Sequence, residues 1–187
     1  MAAGPLLLRI ALIAGLIVST GGLASGTAPQ PLELAVKATF LPKFLAYVGW
    51  PPTGALPTRD AIQICVIGRD PFGPKLDGAI AGQHIEQHPL AVRRLPTTDG
   101  AAGCRLAFIG GSPNQTAAAA LKALHGTPVL TVTDARLGPT RGIVHFDLKG
   151  GRVGFHIDDE GAASSDLAIS SRLLNLALTV RPREKQR

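Results

Sequence analysis

Residues 61–67 read Ala-Ile-Gln-Ile-Cys-Val-Ile and are followed at once by Gly68-Arg69-Asp70-Pro71. A run of this length, apolar almost throughout and stopped by turn residues, has the pattern of a strand buried on both faces. Two counterparts lie downstream. Residues 105–109 (Arg-Leu-Ala-Phe-Ile) stop at Gly110-Gly111, and residues 129–133 read Val-Leu-Thr-Val-Thr. Helical stretches separate the three: residues 72–80, and a segment from Ser112 to Leu124 in which Ser112 reads as the N-cap and Pro113 as the first helical residue. Continuous apolar strands alternating with helices predict an α/β fold, a three-layer αβα sandwich on a mainly parallel sheet. Residues 142–148 and 152–157 flank Lys149-Gly150-Gly151 and predict a C-terminal antiparallel hairpin at the sheet edge. Residues 84–87 and 90–95 read as short extended pieces split by His88-Pro89. In front of the first strand, Leu34, Ala38, Leu41, Leu45 and Val48 recur at helical steps, so residues 33–49 predict a helix, kinked or divided at Pro42. Leu167, Leu174 and Leu178 predict a last helix over residues 166–180.

Arg9 followed by the apolar run 10–18 and the mostly small residues 19–24 has the layout of a secretory signal peptide. Cleavage fits after Ala24, with Ala28 as the second choice. The run is too short for a bilayer, which needs about 20 apolar residues, so no membrane insertion is expected after cleavage. The remaining chain reads as one domain over residues 25–180 and a basic flexible tail over 181–187. The chain has 187 residues, 45% hydrophobic and 17% charged, which excludes intrinsic disorder. Of its net charge of +6, Arg181, Arg183, Lys185 and Arg187 sit in the tail. No basic stripe interleaved with aromatics occurs elsewhere, so nucleic-acid binding is not expected.

Export places the only two cysteines, Cys65 and Cys104, in an oxidising compartment. They are either bridged, which requires their strands to be adjacent and in register, or two buried thiols. Neither has a Cys or His at zinc-ligand spacing. The turn at residues 68–73 lacks the spacing of a nucleotide loop, and Pro71 removes an N–H a phosphate would need. Together with the turn at residues 110–112 it could line a small-molecule crevice at the strand ends, with Arg69, Asp70 and Ser112 as candidate contacts. His84, Glu86 and His88 would share one face of a strand, a weak ligand set better read as an exposed edge; no metal or cofactor is expected. His125, His145 and His156 accompany several serines, but no Gly-x-Ser-x-Gly elbow occurs and no catalytic set emerges. Asp158, Asp159 and Glu160 suit a helix start. Phe40, Phe44, Tyr47 and Trp50 hold half of the eight aromatics within 11 residues. They are core residues, or a helix that also presents an aromatic surface to a partner.

Four pieces in this order resemble the YfiR-like family of bacterial periplasmic proteins. They are residues 36–40 (Val-Lys-Ala-Thr-Phe) continuing to Phe44 and Trp50-Pro51; residues 64–73; residues 103–110 (Gly-Cys-Arg-Leu-Ala-Phe-Ile-Gly); and residues 152–157 followed by 167–177. The resemblance covers roughly residues 34–177. Pro42, Asp158 and Ser165-Asp166 depart from the family's usual pattern. The resemblance implies an α/β sandwich and a regulator without enzymatic activity. It implies a periplasmic protein that binds the sensor region of an inner-membrane diguanylate cyclase, or a sensor kinase, and restrains it. Cyclic di-GMP output and biofilm formation would rise on release. Cysteine oxidation supports folding in such relatives, and self-association is common, so a homodimer is an expectation. The alternative, from the strand-end turns, is a periplasmic small-molecule-binding module.

Overall fold

The structure, a computed structural model, describes residues 31–51 and 60–184. The expected signal peptide lies outside the described residues. The chain runs α1 (Pro31–Leu45), β1 (Val48–Gly49), β2 (Ile62–Gly68), α2 (Pro74–Ile80), β3 (His84–Ile85), β4 (His88–Leu95), β5 (Cys104–Gly111), α3 (Ala117–Leu124), β6 (Leu130–Asp134), β7 (Val144–Lys149), β8 (Arg152–Asp158), α4 (Asp159–Ala163), β9 (Ala168–Ile169), α5 (Ser171–Leu174) and β10 (Thr179–Arg181). Eight strands form one sheet in the order β10-β8-β7-β6-β5-β2-β4-β3, and β1 pairs with β9 in a separate two-stranded ribbon. The pairs from β4 through β2, β5 and β6 to β7 are all parallel. The hairpin β7–β8 is antiparallel.

Alternation of side chains on these strands creates two cores. On one face, Ile64, Val66, Leu106, Phe108, Leu130, Val132, Val144 and Phe146 pack with Leu41 and Phe44 of α1, Leu76 of α2, Ala162 of α4 and Leu173 of α5. On the other, Cys65, Ile67, Ala107 and Ile109 pack with Ala120 and Leu124 of α3. Helices thus lie on both faces, as the apolar runs require.

Several local expectations are corrected. Pro42 does not divide α1, which continues to Leu45; only the last turn follows it, so few helix bonds are disturbed. Chain extension resumes at Val48, where the expected helix would have continued. His88 and Pro89 lie within β4, and the break falls at Glu86, whose φ of 55° turns the chain between β3 and β4. The helix after β5 begins at Ala117, not at Pro113. Thr116 caps it by accepting from Ala119 N at 3.2 Å, while the Ser112 hydroxyl closes a preceding turn by accepting from Gln115 N.

The largest correction is at the C-terminus. No helix spans 166–180: β9, α5 and the start of β10 occupy this part of the chain. Asp166 has a φ of 54°, and Ser170 caps only the four residues of α5. A Cβ on Gly154 would stand 2.7 Å from Leu178 Cδ1, so glycine there makes room for Leu178 over β8. Leu178 N donates to Phe155 O, and β10 then pairs parallel with β8. The hairpin therefore lies one strand inside the edge. The expected loose tail is partly bound as well. Arg181 ends β10, and Arg183 grips the Asp159 carboxylate with Nε and Nη2 at 2.8 and 3.0 Å.

Candidate functional site

Lys37 in α1 is fully buried, an unusual place for an ammonium group. Its Nζ donates to Glu33 Oε1 at 2.6 Å, one turn earlier, and to Asp134 Oδ2 at 2.7 Å, at the end of β6. Arg136 closes the group: its Nε donates to Glu33 Oε1 at 2.8 Å and its backbone N to Asp134 Oδ1. Burial raises the Glu33 pKa, but the hydrogen bonds and charges of Arg136 and Lys37 outweigh it and hold the carboxyl below its ordinary value. The four charges clamp α1 onto the sheet in one orientation. A buried network of this kind costs desolvation and in return fixes geometry.

A row of polar side chains crosses the other face at the same end of the sheet. Registry places Thr133 opposite His145, His145 opposite His156, and His156 opposite Thr179. Thr133 Oγ1 and His145 Nδ1 are 2.8 Å apart; His156 Nδ1 lies 2.7 Å from Thr179 Oγ1, and its Nε2 3.2 Å from Asp147 Oδ2. Burial lowers the His145 pKa, with Arg141 and His156 adding to the effect. The hydrogen bond from His156 lowers that of Asp147. Thr179, His156 and Asp147 have the atom order of a hydroxyl–imidazole–carboxylate relay. The carboxylate is 40% exposed and its bond to His156 is long, so the arrangement reads as a cross-strand ladder. Neither the clamp nor the row was singled out in the sequence. The 33–37 spacing was available as a helical pair, but Asp134 is 97 positions from Lys37.

The aromatic segment is divided by the structure. Phe44 is buried, with ring centres 5.7 Å from Phe146 and 5.1 Å from Phe155. Phe40 is half-buried against the same rings. Tyr47 is exposed and is held by its backbone, which accepts from Ser170 N beside the β1–β9 ribbon. Trp50 is half-buried: its indole N–H donates to Pro128 O, and the Arg105 guanidinium lies over its ring. Phe44 therefore cannot face a partner, whereas Tyr47 can.

The strand-end turns hold themselves. Asp70 Oδ1 accepts from Phe72 N and Gly73 N, and its Oδ2 accepts from Arg94 Nε at 2.7 Å. Arg94 also pairs with Asp77, whose pKa its hydrogen bonds lower. Arg69 is exposed; its N donates to Gly111 O, and its carbonyl sits so close to Gly110 that no Cβ would fit there. The backbones of the two turns thus pack directly against each other at the ends of β2 and β5.

Cys65 and Cys104 are bridged, with Cα atoms 5.8 Å apart. Their strands are adjacent as required, but the bridge is diagonal: Cys65 is opposite Ala107 and Cys104 opposite Gln63, with a register shift after Gln63. His84 and His88 point their Nδ1 atoms to the carbonyls of Gly82 and Asp60, and the turn at Glu86 breaks the shared face. Among the described residues no group of three or more His, Cys, Asp or Glu could hold a metal ion, and no helix is long and apolar enough to cross a membrane.

A family model described as YfiR/HmsC-like matches residues 34–178. The chain belongs to the YfiR/HmsC-like family. The matched region begins inside α1, takes in the buried lysine, the disulfide, both cores and the polar row up to His156, and stops just before β10. The YfiR/HmsC-like proteins are a family of periplasmic regulators, which favours a non-enzymatic role. No curated protein matches the chain.

Proposed function

We propose that this chain is a periplasmic, non-enzymatic regulator that binds and restrains an inner-membrane signalling protein, first of all a diguanylate cyclase, and so lowers cyclic di-GMP and biofilm formation. The observation that carries this reading is the YfiR/HmsC-like match over residues 34–178. The sequence of the leader and the disulfide fit an exported protein in an oxidising compartment. The polar chemistry fits a scaffold: among the described residues no buried side-chain nitrogen or oxygen lacks a hydrogen-bond partner. Tyr47, exposed at the end of α1 beside the β1–β9 ribbon, is the first residue assigned to the partner surface.

The test is binding of the exported chain to the periplasmic regions of its host's diguanylate cyclases and sensor kinases, with cyclic di-GMP measured after deletion. One cyclase region should bind, and deletion should raise cyclic di-GMP. Tyr47→Ala should weaken that binding with no change in folding. Failure to bind any of these regions overturns the proposal.

A further inference from the structure

Arg105 differs from the cations that hold the fold together, the buried Lys37 and the more exposed Arg136 and Arg183. Lys37, Arg136 and Arg183 each meet a carboxylate. Arg105, half-buried at the start of β5, forms no ion pair or hydrogen bond among the described residues. Its guanidinium carbon lies 5.6 Å from the centre of the Trp50 ring. Burial lowers its pKa, the sign of a charge poorly served by water. Residues 52–59, Pro-Thr-Gly-Ala-Leu-Pro-Thr-Arg, contain no Asp or Glu that could pair with it. A cation removed from water ordinarily has an anionic partner.

Arg105 also forms part of the wall of two clefts. One, of about 540 Å³, runs past Trp50 and has the exposed Glu86 on its rim, outside the 4.0 Å reach of an ion pair with Arg105. The other, of about 450 Å³, lies between the start of β5 and the end of α3. Its walls include Ala101, Cys104, Ala123, Leu124 and Val129, and among the described residues Arg105 is the one charged residue lining it. The Cys65–Cys104 bridge fixes the residue before Arg105, and the Trp50 bond to Pro128 fixes the ring beneath the guanidinium. The result, among the described residues, is a mostly apolar cavity of small-molecule size with one fixed cation in its wall.

We propose that this second cleft binds a small organic carboxylate with an apolar body. The planar guanidinium offers paired N–H donors to the carboxylate, and the Ala, Leu and Val walls take the hydrocarbon part. The site lies at the N-terminal end of β5, opposite the strand-end turns, and it stands independently of the regulator reading. A carboxylate on an acidic peptide shares the headgroup chemistry, but the cavity volume favours a free small molecule.

Trp50 is the chain's only tryptophan, so its fluorescence reports on the residue stacked with Arg105. The oxidised, exported chain is titrated with benzoate, hexanoate, their neutral amides and a Glu-rich peptide. Saturable changes in Trp50 emission are expected with the two carboxylates and not with the amides. Arg105→Gln should weaken binding about tenfold or more, as for loss of a charge-assisted hydrogen bond, and Arg105→Lys should fall between. Ala123→Leu, an exposed α3 position that narrows the cleft while keeping Arg105, should also weaken binding and serves if Arg105→Gln does not fold. Absence of a saturable change at millimolar carboxylate, an equal response to the amides, unchanged binding by folded Arg105→Gln, or a response to the peptide alone would overturn the proposal.

Discussion

The two faces of the sheet are held by different means. The α1 face is filled with large side chains, Phe44, Phe72, Phe108, Phe146 and Phe155 among them, and carries the ionic clamp at Lys37. The α3 face is thin: Cys65, Ile67, Ala101, Cys104, Ala107, Ile109, Ala120, Leu124 and Val129 form its whole buried cluster among the described residues, without one aromatic. The covalent bridge lies in the thin core. Where each side chain removes little surface from water, burial contributes less, and a bond that restricts the unfolded chain adds what packing does not. Where rings interlock, the same role falls to dispersion and area.

The strongest attack on this contrast is Phe44→Ala, which should cost about 3–5 kcal/mol by lost burial and cavity formation, read from urea unfolding at constant m-value. Next, replacing both Cys65 and Cys104 by Ala should cost about 4 kcal/mol in the chain-entropy picture for their 39-residue separation. If instead the double variant unfolds within about 0.5 kcal/mol of the parent, in the range of a neutral surface change, the thin core stands without its bridge and the contrast fails. Lys37→Met should cost about 2 kcal/mol. Breaking a buried pair can cost about 3–5, but Arg136 still holds Glu33 and its backbone N still serves Asp134.

The smallest effects are in pH. His145 has a lowered pKa, so below its ordinary 6.5 the unfolded chain takes up the proton more readily than the folded one. Stability should therefore fall as pH drops from about 7 toward 5, and His145→Gln should flatten that slope. Glu33 also has a lowered pKa. Its contribution is present above 4.5 and lost as pH falls through the folded value, so Glu33→Gln should flatten only the window below 4.5. Thermal unfolding over pH 3–8, a span chosen to bracket about two units around both groups, separates the two.

Sequence pattern served well where burial is two-sided. β2, β5 and β6 were legible because nearly every position along them is apolar or small, with Gln63, Arg105 and Asp134 near their ends, and Lys149-Gly150-Gly151 marked the hairpin through the positive φ of Gly150 and Gly151. It failed over 166–180, where leucines at helical spacing reach two different neighbours: Leu167 and Leu174 the α1-side core and Leu178 the backbone of Phe155 across Gly154. Periodicity cannot tell one helix from two short elements that happen to share its spacing. The candidate residues fared similarly. The Cys65–Cys104 bridge was legible because only one pairing exists. Phe44 was indistinguishable from Tyr47 by spacing, and only the position of β7 and β8 decides which is covered. The clamp depends on Asp134 and Arg136, so it exists only once β6 lies beside α1.

The bridge between Cys65 and Cys104 closes a covalent ring that contains α2, β3 and β4, with the exposed turn at Glu86 on its circumference. A protease that cuts at that turn opens the ring without releasing a fragment. The nicked protein keeps the mass of the whole chain plus one water and separates into two pieces only after reduction, so damage at this exposed turn leaves both halves of the domain covalently joined.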